Sequence, residues 1–60
     1  SVKVGDLVRH REETCGFGVI VDVNLALSDV FVRWFSSDPD CTDMMGWHIP
    51  DEIQVVSECK

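Results

Sequence analysis

The sequence contains no tyrosine and only two prolines. It has five basic residues, lysine and arginine together, against eleven aspartates and glutamates. The net charge of −6 disfavours nucleic acid as a main partner, because basic side chains that neutralise phosphates drive such binding. It favours solubility or docking on a basic protein surface. No apolar run approaches the roughly 18 residues of a membrane-spanning helix, and no signal-peptide pattern opens the chain. We therefore expect a cytoplasmic protein with no membrane partner.

The short chain limits both the number of domains and the size of the core. Sixty residues predict a single domain, residues 1–60, with a core that is marginal by itself. Domains of this size commonly rely on a disulfide, a metal or a partner subunit. The cysteines Cys15, Cys41 and Cys59 are odd in number and widely spaced, unlike a secreted disulfide framework. We expect reduced, partly buried thiols, with a Cys15–Cys41 or Cys41–Cys59 bridge as the alternative that geometry decides.

Short alternating apolar segments divide the chain into five predicted strands. They read KVGDLVRHR, GFGVIVDV, VFVRWF, MMGWHI and IQVVSE, and they are separated by turn-forming residues. NLALSD is predicted to be a turn and SSDPDCTD a loop. Residues 50–52 are predicted to form one helical turn, because Pro50 lacks a backbone N–H and fixes φ. Since no helical period is present, the sequence predicts an all-β antiparallel barrel or sandwich.

Alternation along VFVRWF predicts which side chains face the core. Residues two apart share a face of a strand. The face predicted to be buried carries Val30, Val32 and Trp34, and the opposite face carries Phe31, Arg33 and Phe35. An exposed pair of phenylalanines beside Ile20 would mark an interaction surface.

The stretch GWHIPDE is predicted to be the closing corner of the fold. Trp47 and Ile49 are expected to pack inward, which would place His48 outside. The complete predicted interaction surface therefore comprises Ile20, Phe31, Arg33, Phe35 and His48.

The order of four segments, and the turn-forming residues that separate them, resemble those of SH3-like barrels of the Tudor and KOW type. The segments are VGDLVRH, GFGVIVDV, VFVRWF and GWHIPDEIQVV. The whole pattern is most similar to short SH3-like proteins encoded by tailed, especially marine, bacteriophages. The resemblance implies a five-stranded SH3-like barrel with one 3-10 turn before the last strand. It also implies a location in the host cytoplasm or the virion. It indicates fold better than function, because this fold hosts many unrelated tasks.

The sequence shows no recognised pattern of catalytic, metal-binding or cofactor-binding residues. His10, His48 and the cysteines lack the close C-x-x-C or H-x-x-x-H spacing of zinc sites, so no metal site is predicted. The G-x-G in GFGVIVD lacks a third glycine and a following helix, so no nucleotide cofactor is predicted. Gly16 and Gly18 are interpreted instead as positions where the sheet bends.

These observations predict a non-enzymatic protein-interaction module, by resemblance a phage accessory or virion-associated protein. Its partner is expected to be a protein or a second copy of the chain, with no small-molecule substrate. The alternative is a Tudor- or KOW-type module that reads a peptide or nucleic acid. An oligomeric pore enzyme on the same fold is the least favoured hypothesis.

Overall fold

The computed structural model describes residues 2–36, 38–42 and 46–59. Its strands are β1 (Leu7–His10), β2 (Phe17–Asn24), β3 (Asp29–Trp34), β4 (Gly46–His48) and β5 (Ile53–Ser57). A single α-helical turn, α1 (Pro39–Thr42), precedes β4, and a 3-10 turn (Pro50–Glu52) precedes β5.

The predicted all-β class, the five strands and the 3-10 turn are confirmed, whereas α1 lies within a predicted loop. Residues 37 and 43–45, predicted as parts of that loop and of the fourth strand, lie outside the described residues. In the described ranges, neither helical segment has the length and apolarity needed to cross a bilayer.

All five strands form one antiparallel sheet in the order β4-β3-β2-β1-β5. The first four strands follow one another as a meander, and β5 returns to pair with β1, with His10 opposite Ile53. The 3-10 turn connects the two edge strands β4 and β5, so the sheet must curl to bring them together. In the part of the chain that the structure describes, these edges do not pair, and the sheet is not closed into a barrel.

The core lies on the concave side of the curled sheet. It consists of Val8, Cys15, Ile20, Val30, Val32, Trp34, Cys41 and Ile53. The predicted inward face of β3 is therefore confirmed. Gly18 is buried opposite Trp34, and a Cβ there would lie 2.9 Å from the indole ring and 2.7 Å from Val32 Cγ1. This glycine makes room for the Trp34 ring within a regular strand. The interruption in the β2–β3 register lies elsewhere, between Ile20 and Asp22.

Strand register corrects four predicted side-chain orientations. Ile20 pairs with Val32 and is only 1% exposed, so its assignment to the exposed surface is wrong. His48 pairs with Val30 and is 7% exposed, so the prediction that it points outward is also wrong. Trp47 and Ile49, predicted to be inside, are 47% and 51% exposed. Opposite residues in an antiparallel pair share a face, so these positions follow from the pairing rather than from hydrophobicity.

A disulfide between Cys15 and Cys41 connects the loop before β2 to α1. Their Cα atoms are 5.6 Å apart, and both residues are buried in the core. Cys59 is free and exposed. The expectation of three reduced thiols is therefore wrong for the first two, and the Cys15–Cys41 alternative is the one the structure contains.

Asp6 connects the N-terminal turn to the C-terminal segment. Its buried carboxylate accepts hydrogen bonds from Lys3 N at 3.0 Å, Lys3 Nζ at 3.1 Å and Cys59 N at 2.8 Å. The bond from Cys59 N is the largest influence that lowers the pKa of Asp6, against burial, which raises it. The turn itself contains Gly5 at φ +94°, a conformation that glycine adopts without strain.

Candidate functional site

The convex side of the sheet carries an aromatic surface. We define the outer face as Phe17, Val19, Phe31, Arg33, Phe35 and Trp47. Register places Val19 beside Arg33 and Phe31 beside Trp47, while Phe35 N donates to Phe17 O at 3.0 Å. The structure therefore brings three of the five predicted surface residues together and moves Ile20 and His48 into the interior.

Three aromatic rings of the outer face are open to solvent. Phe17 is 51% exposed and Phe35 is 62% exposed, and the two lie side by side at one end of the β2–β3 pair. Trp47 packs edge-on against Phe31, with ring centroids 5.4 Å apart and an interplanar angle of 85°. Such T-shaped pairs stabilise ring orientation. The face therefore presents Phe17, Phe35 and the Trp47 ring of this pair to solvent.

Two arginines flank these rings. Arg33 is an exposed member of the outer face, and Arg9 on β1 pairs with Phe17. The Arg9 guanidinium is held over β5 by a 3.0 Å hydrogen bond from its Nε to Gln54 Oε1. Aromatic residues and arginine are the side chains enriched in protein interfaces. Within an acidic protein, this face therefore carries a local concentration of cations.

A second grouping lies on the concave side, where two histidines and a glutamate converge. We call His10, His48 and Glu52 the His–Glu–His cluster. His10 ends β1, His48 ends β4, and Glu52 ends the 3-10 turn, so each residue comes from a different element. Arg11 N donates to Glu52 O at 2.9 Å, which fixes the 3-10 turn against the end of β1. The curl of the sheet thus assembles the cluster.

The Glu52 carboxylate lies between the two imidazoles. Glu52 Oε2 is 2.9 Å from His48 Nδ1 and 3.5 Å from His10 Nε2. The hydrogen bond from His48 is the main cause that lowers the pKa of Glu52, against partial burial, which raises it. The glutamate is therefore held as an anion that accepts hydrogen bonds.

Hydrogen bonds define which nitrogen of His10 carries the proton. His10 Nδ1 accepts backbone N–H groups from Glu12 and Glu13, each at 3.1 Å. A neutral imidazole has one acceptor and one donor nitrogen, so the proton resides on Nε2, which faces Glu52. The buried Trp34 indole lies beside both rings, 5.8 Å from His48 and 6.3 Å from His10 between centroids.

Sequence reasoning missed the cluster because it tested only the ligand spacings of zinc motifs. The available local signal was His48-x-x-x-Glu52, four residues apart across the predicted 3-10 turn. The third member, His10, becomes a neighbour only through the pairing of β1 with β5. That pairing joins residues more than forty positions apart and leaves no local signature.

A shallow cleft of about 190 Å³ lies between the β2–β3 turn and the 3-10 turn, with Val2, Leu25 and Pro50 among its lining residues. Pockets that enclose drug-sized ligands measure roughly 300–1,000 Å³. The cleft is smaller and apolar, and we assign it no ligand.

Comparison with protein-family models, curated proteins and solved structures finds no match for this chain.

Proposed function

We propose that this chain is a non-enzymatic protein-interaction module whose outer face binds a second copy of the chain. The observation that carries the proposal is the presence of three exposed aromatic rings on one side of the sheet. Phe17 and Phe35 lie together at one end of the β2–β3 pair, and Trp47 lies beside Phe31. Single exposed apolar residues are ordinary on protein surfaces, whereas contiguous ones mark interaction sites. Here the aromatic rings occupy neighbouring strands on one side of the sheet.

A second copy suits the outer face because charges of both signs flank its aromatic rings, a basic residue within the face and an acidic residue beside it. Exposed Arg33 lies on β3, and exposed Asp22 lies on the adjacent β2 opposite Phe31. In a two-fold contact the same patch meets itself, so Arg33 of each copy can approach Asp22 of the other. An interface of about 800 Å² per partner is typical of stable complexes. That is about one fifth of the 4119 Å² accessible surface, an area that one side of a five-stranded sheet can supply.

Sedimentation velocity over a wide concentration range tests this function. We expect a reversible dimer that Phe35→Asp abolishes, because a carboxylate would be buried against apolar rings without a partner. Leu27→Asp is the matched control: Leu27 is 68% exposed but lies in the β2–β3 turn, away from the outer face. The control is expected to dimerise like the wild type. A wild-type chain that stays monomeric at millimolar concentration would overturn the proposed self-association.

We also propose that the curled sheet is an SH3-like barrel, from a phage accessory or virion-associated protein in the host cytoplasm or the virion. The strand order β4-β3-β2-β1-β5 and the 3-10 turn before β5 support the barrel. The remainder rests on the resemblance that we propose between the four sequence segments and Tudor-, KOW- and phage-type proteins.

The second candidate function is a Tudor- or KOW-type module that reads a peptide or a nucleic acid. It is favoured by the combination of Arg9, Arg33 and exposed rings, since proteins that bind single strands stack bases on aromatic side chains beside basic ones. Titration with a fluorescent single-stranded oligonucleotide distinguishes the two functions. Binding that weakens steeply with salt and is lost in Arg33→Glu would favour this alternative.

A further inference from the structure

We propose that the His–Glu–His cluster is a binding site for a divalent transition-metal ion of the zinc class. The site would use one nitrogen from His10, one nitrogen from His48 and one carboxylate oxygen from Glu52. It is separate from the outer face and does not depend on the function proposed above. Among the described residues, these three side chains form the single group of metal-ligating atoms that converge, all within 4.8 Å of one another.

Two of the three distances between the ligand atoms match the separations expected around a bound ion. Ligand atoms bonded to a tetrahedral zinc ion at about 2.05 Å lie about 3.3 Å apart. Glu52 Oε2 lies 2.9 Å from His48 Nδ1 and 3.5 Å from His10 Nε2. The third distance, between the two histidine nitrogens, is at most 4.8 Å, so an ion placed among these atoms would draw the two rings together by up to about 1.5 Å.

The donor set selects the class of ion. Two imidazoles and a carboxylate suit Zn²⁺, Co²⁺, Ni²⁺ and Cu²⁺, whereas Mg²⁺ and Ca²⁺ prefer oxygen ligands throughout. Three protein ligands leave a coordination position for water or another small ligand. The Glu52 side chain is partly exposed, which gives an ion a route to the otherwise buried histidines.

Trp34 supplies an independent observation beside the cluster. Its Nε1–H is buried and has no hydrogen-bond acceptor among the residues that the structure describes. Buried donors are nearly always satisfied, so an orphaned one calls for an acceptor. The cation itself could not satisfy an N–H donor, whereas a water held at the open coordination position of the ion could. The indole ring is 5.8 Å from the His48 ring, so this donor belongs to the same part of the core.

Metal binding must be coupled to a change at His10. Coordination through Nε2 requires the ring proton to move to Nδ1, which now accepts hydrogen bonds from the backbone amides of Glu12 and Glu13. Coordination through His48 Nδ1, which now donates to Glu52, likewise requires the proton of that ring to move to Nε2. The amides of Glu12 and Glu13 would lose their acceptor on His10, so the segment over residues 11–14 must adjust. This coupling distinguishes the site from adventitious binding at a surface carboxylate, which would leave these amides unchanged.

Calorimetric titration of the whole chain with Zn²⁺, and visible absorption with Co²⁺, test the proposal. We expect one ion per chain, and no binding of Mg²⁺ under the same conditions. His48→Gln and Glu52→Gln each remove a ligand and are expected to weaken binding by at least about tenfold. Two controls are expected to bind like the wild type: Asp51→Asn, which neutralises an exposed neighbour on the 3-10 turn, and Cys59→Ser, which removes the exposed thiol.

Nitrogen-15 NMR spectra of the wild-type chain give a second test, which does not depend on the folding of any variant. Zn²⁺ is expected to shift the ring nitrogens of both histidines and the amides of Glu12 and Glu13. Absence of stoichiometric binding, or binding that leaves those signals in place, would overturn the proposal. Undiminished binding by a folded Glu52→Gln variant would also overturn it.

Discussion

Breaking the Cys15–Cys41 disulfide is predicted to remove a large part of the stability of this chain. The bridge spans 26 positions. For a loop of that length, the chain-entropy relation gives about 3.5 kcal/mol at 25 °C, because the bridge restricts the unfolded chain. A domain of 60 residues is typically stable by about 3–9 kcal/mol in total. Reduction should therefore leave a marginal fold.

Thermal unfolding followed by circular dichroism measures this effect. For a domain of this size, each kcal/mol corresponds to roughly 4–8 °C in Tm, so reductant should lower Tm by about 14–28 °C. The double variant Cys15→Ser, Cys41→Ser should melt at the lower temperature with or without reductant. Cys59→Ser is the matched control, and its Tm should equal that of the wild type because Cys59 is not bridged.

Thiol titration tests whether the Cys15–Cys41 disulfide is present, independently of how much stability it contributes. The oxidised, denatured chain should show one reactive thiol and the reduced chain three, since one cysteine is free and two are paired. Three reactive thiols before reduction would contradict the bridge. A bridged chain whose Tm falls by less than a few degrees on reduction would refute the entropic reasoning.

Two further predictions concern single residues of the fold. Gly18→Ala should destabilise the chain by about 1–3 kcal/mol in urea unfolding, because the added methyl would meet Val32 and a backbone carbonyl at less than 3 Å; unchanged stability would show that β3 moves freely. Asp6 has a lowered pKa, so the stability it contributes is present above about pH 4 and is lost as pH falls through the folded-state value. The urea midpoint of the wild type should therefore fall more steeply on acidification than that of Asp6→Asn, and parallel curves would contradict this role for the hydrogen bonds from Lys3 and Cys59.

Local patterns predicted the elements of this fold well. Alternation, turn residues and Pro50 located all five strands and the 3-10 turn, because these signals depend on a few neighbouring residues. The inward face of β3 was also predictable, since Val30, Val32 and Trp34 are all apolar whereas the opposite face carries the charged Arg33.

Orientation at the closing corner could not be predicted from the same patterns. Trp47 is more apolar than His48, so hydrophobicity favoured the wrong residue for the core. The pairing of β3 with β4 decides the matter by placing His48 opposite buried Val30. Burial of the histidine is tolerated because Glu52 satisfies its Nδ1. The contacts of His48 with Glu52 and with Val30 both depend on the folded structure. The alternation of apolar and polar residues along β4 therefore does not reveal them.

The return of β5 to β1 has a consequence for the order of folding. The β2–β3 hairpin joins neighbours in sequence and closes a short loop, whereas His10 must find Ile53 across most of the chain. Long-range pairings of this kind form slowly, because the chain entropy of closure is lost before the contacts compensate for it. The C-terminal strand is thus expected to be the last to attach. His10 meets the carboxylate that it shares with His48 only at that final step, so the proximity of His10 to Glu52 reports completed folding.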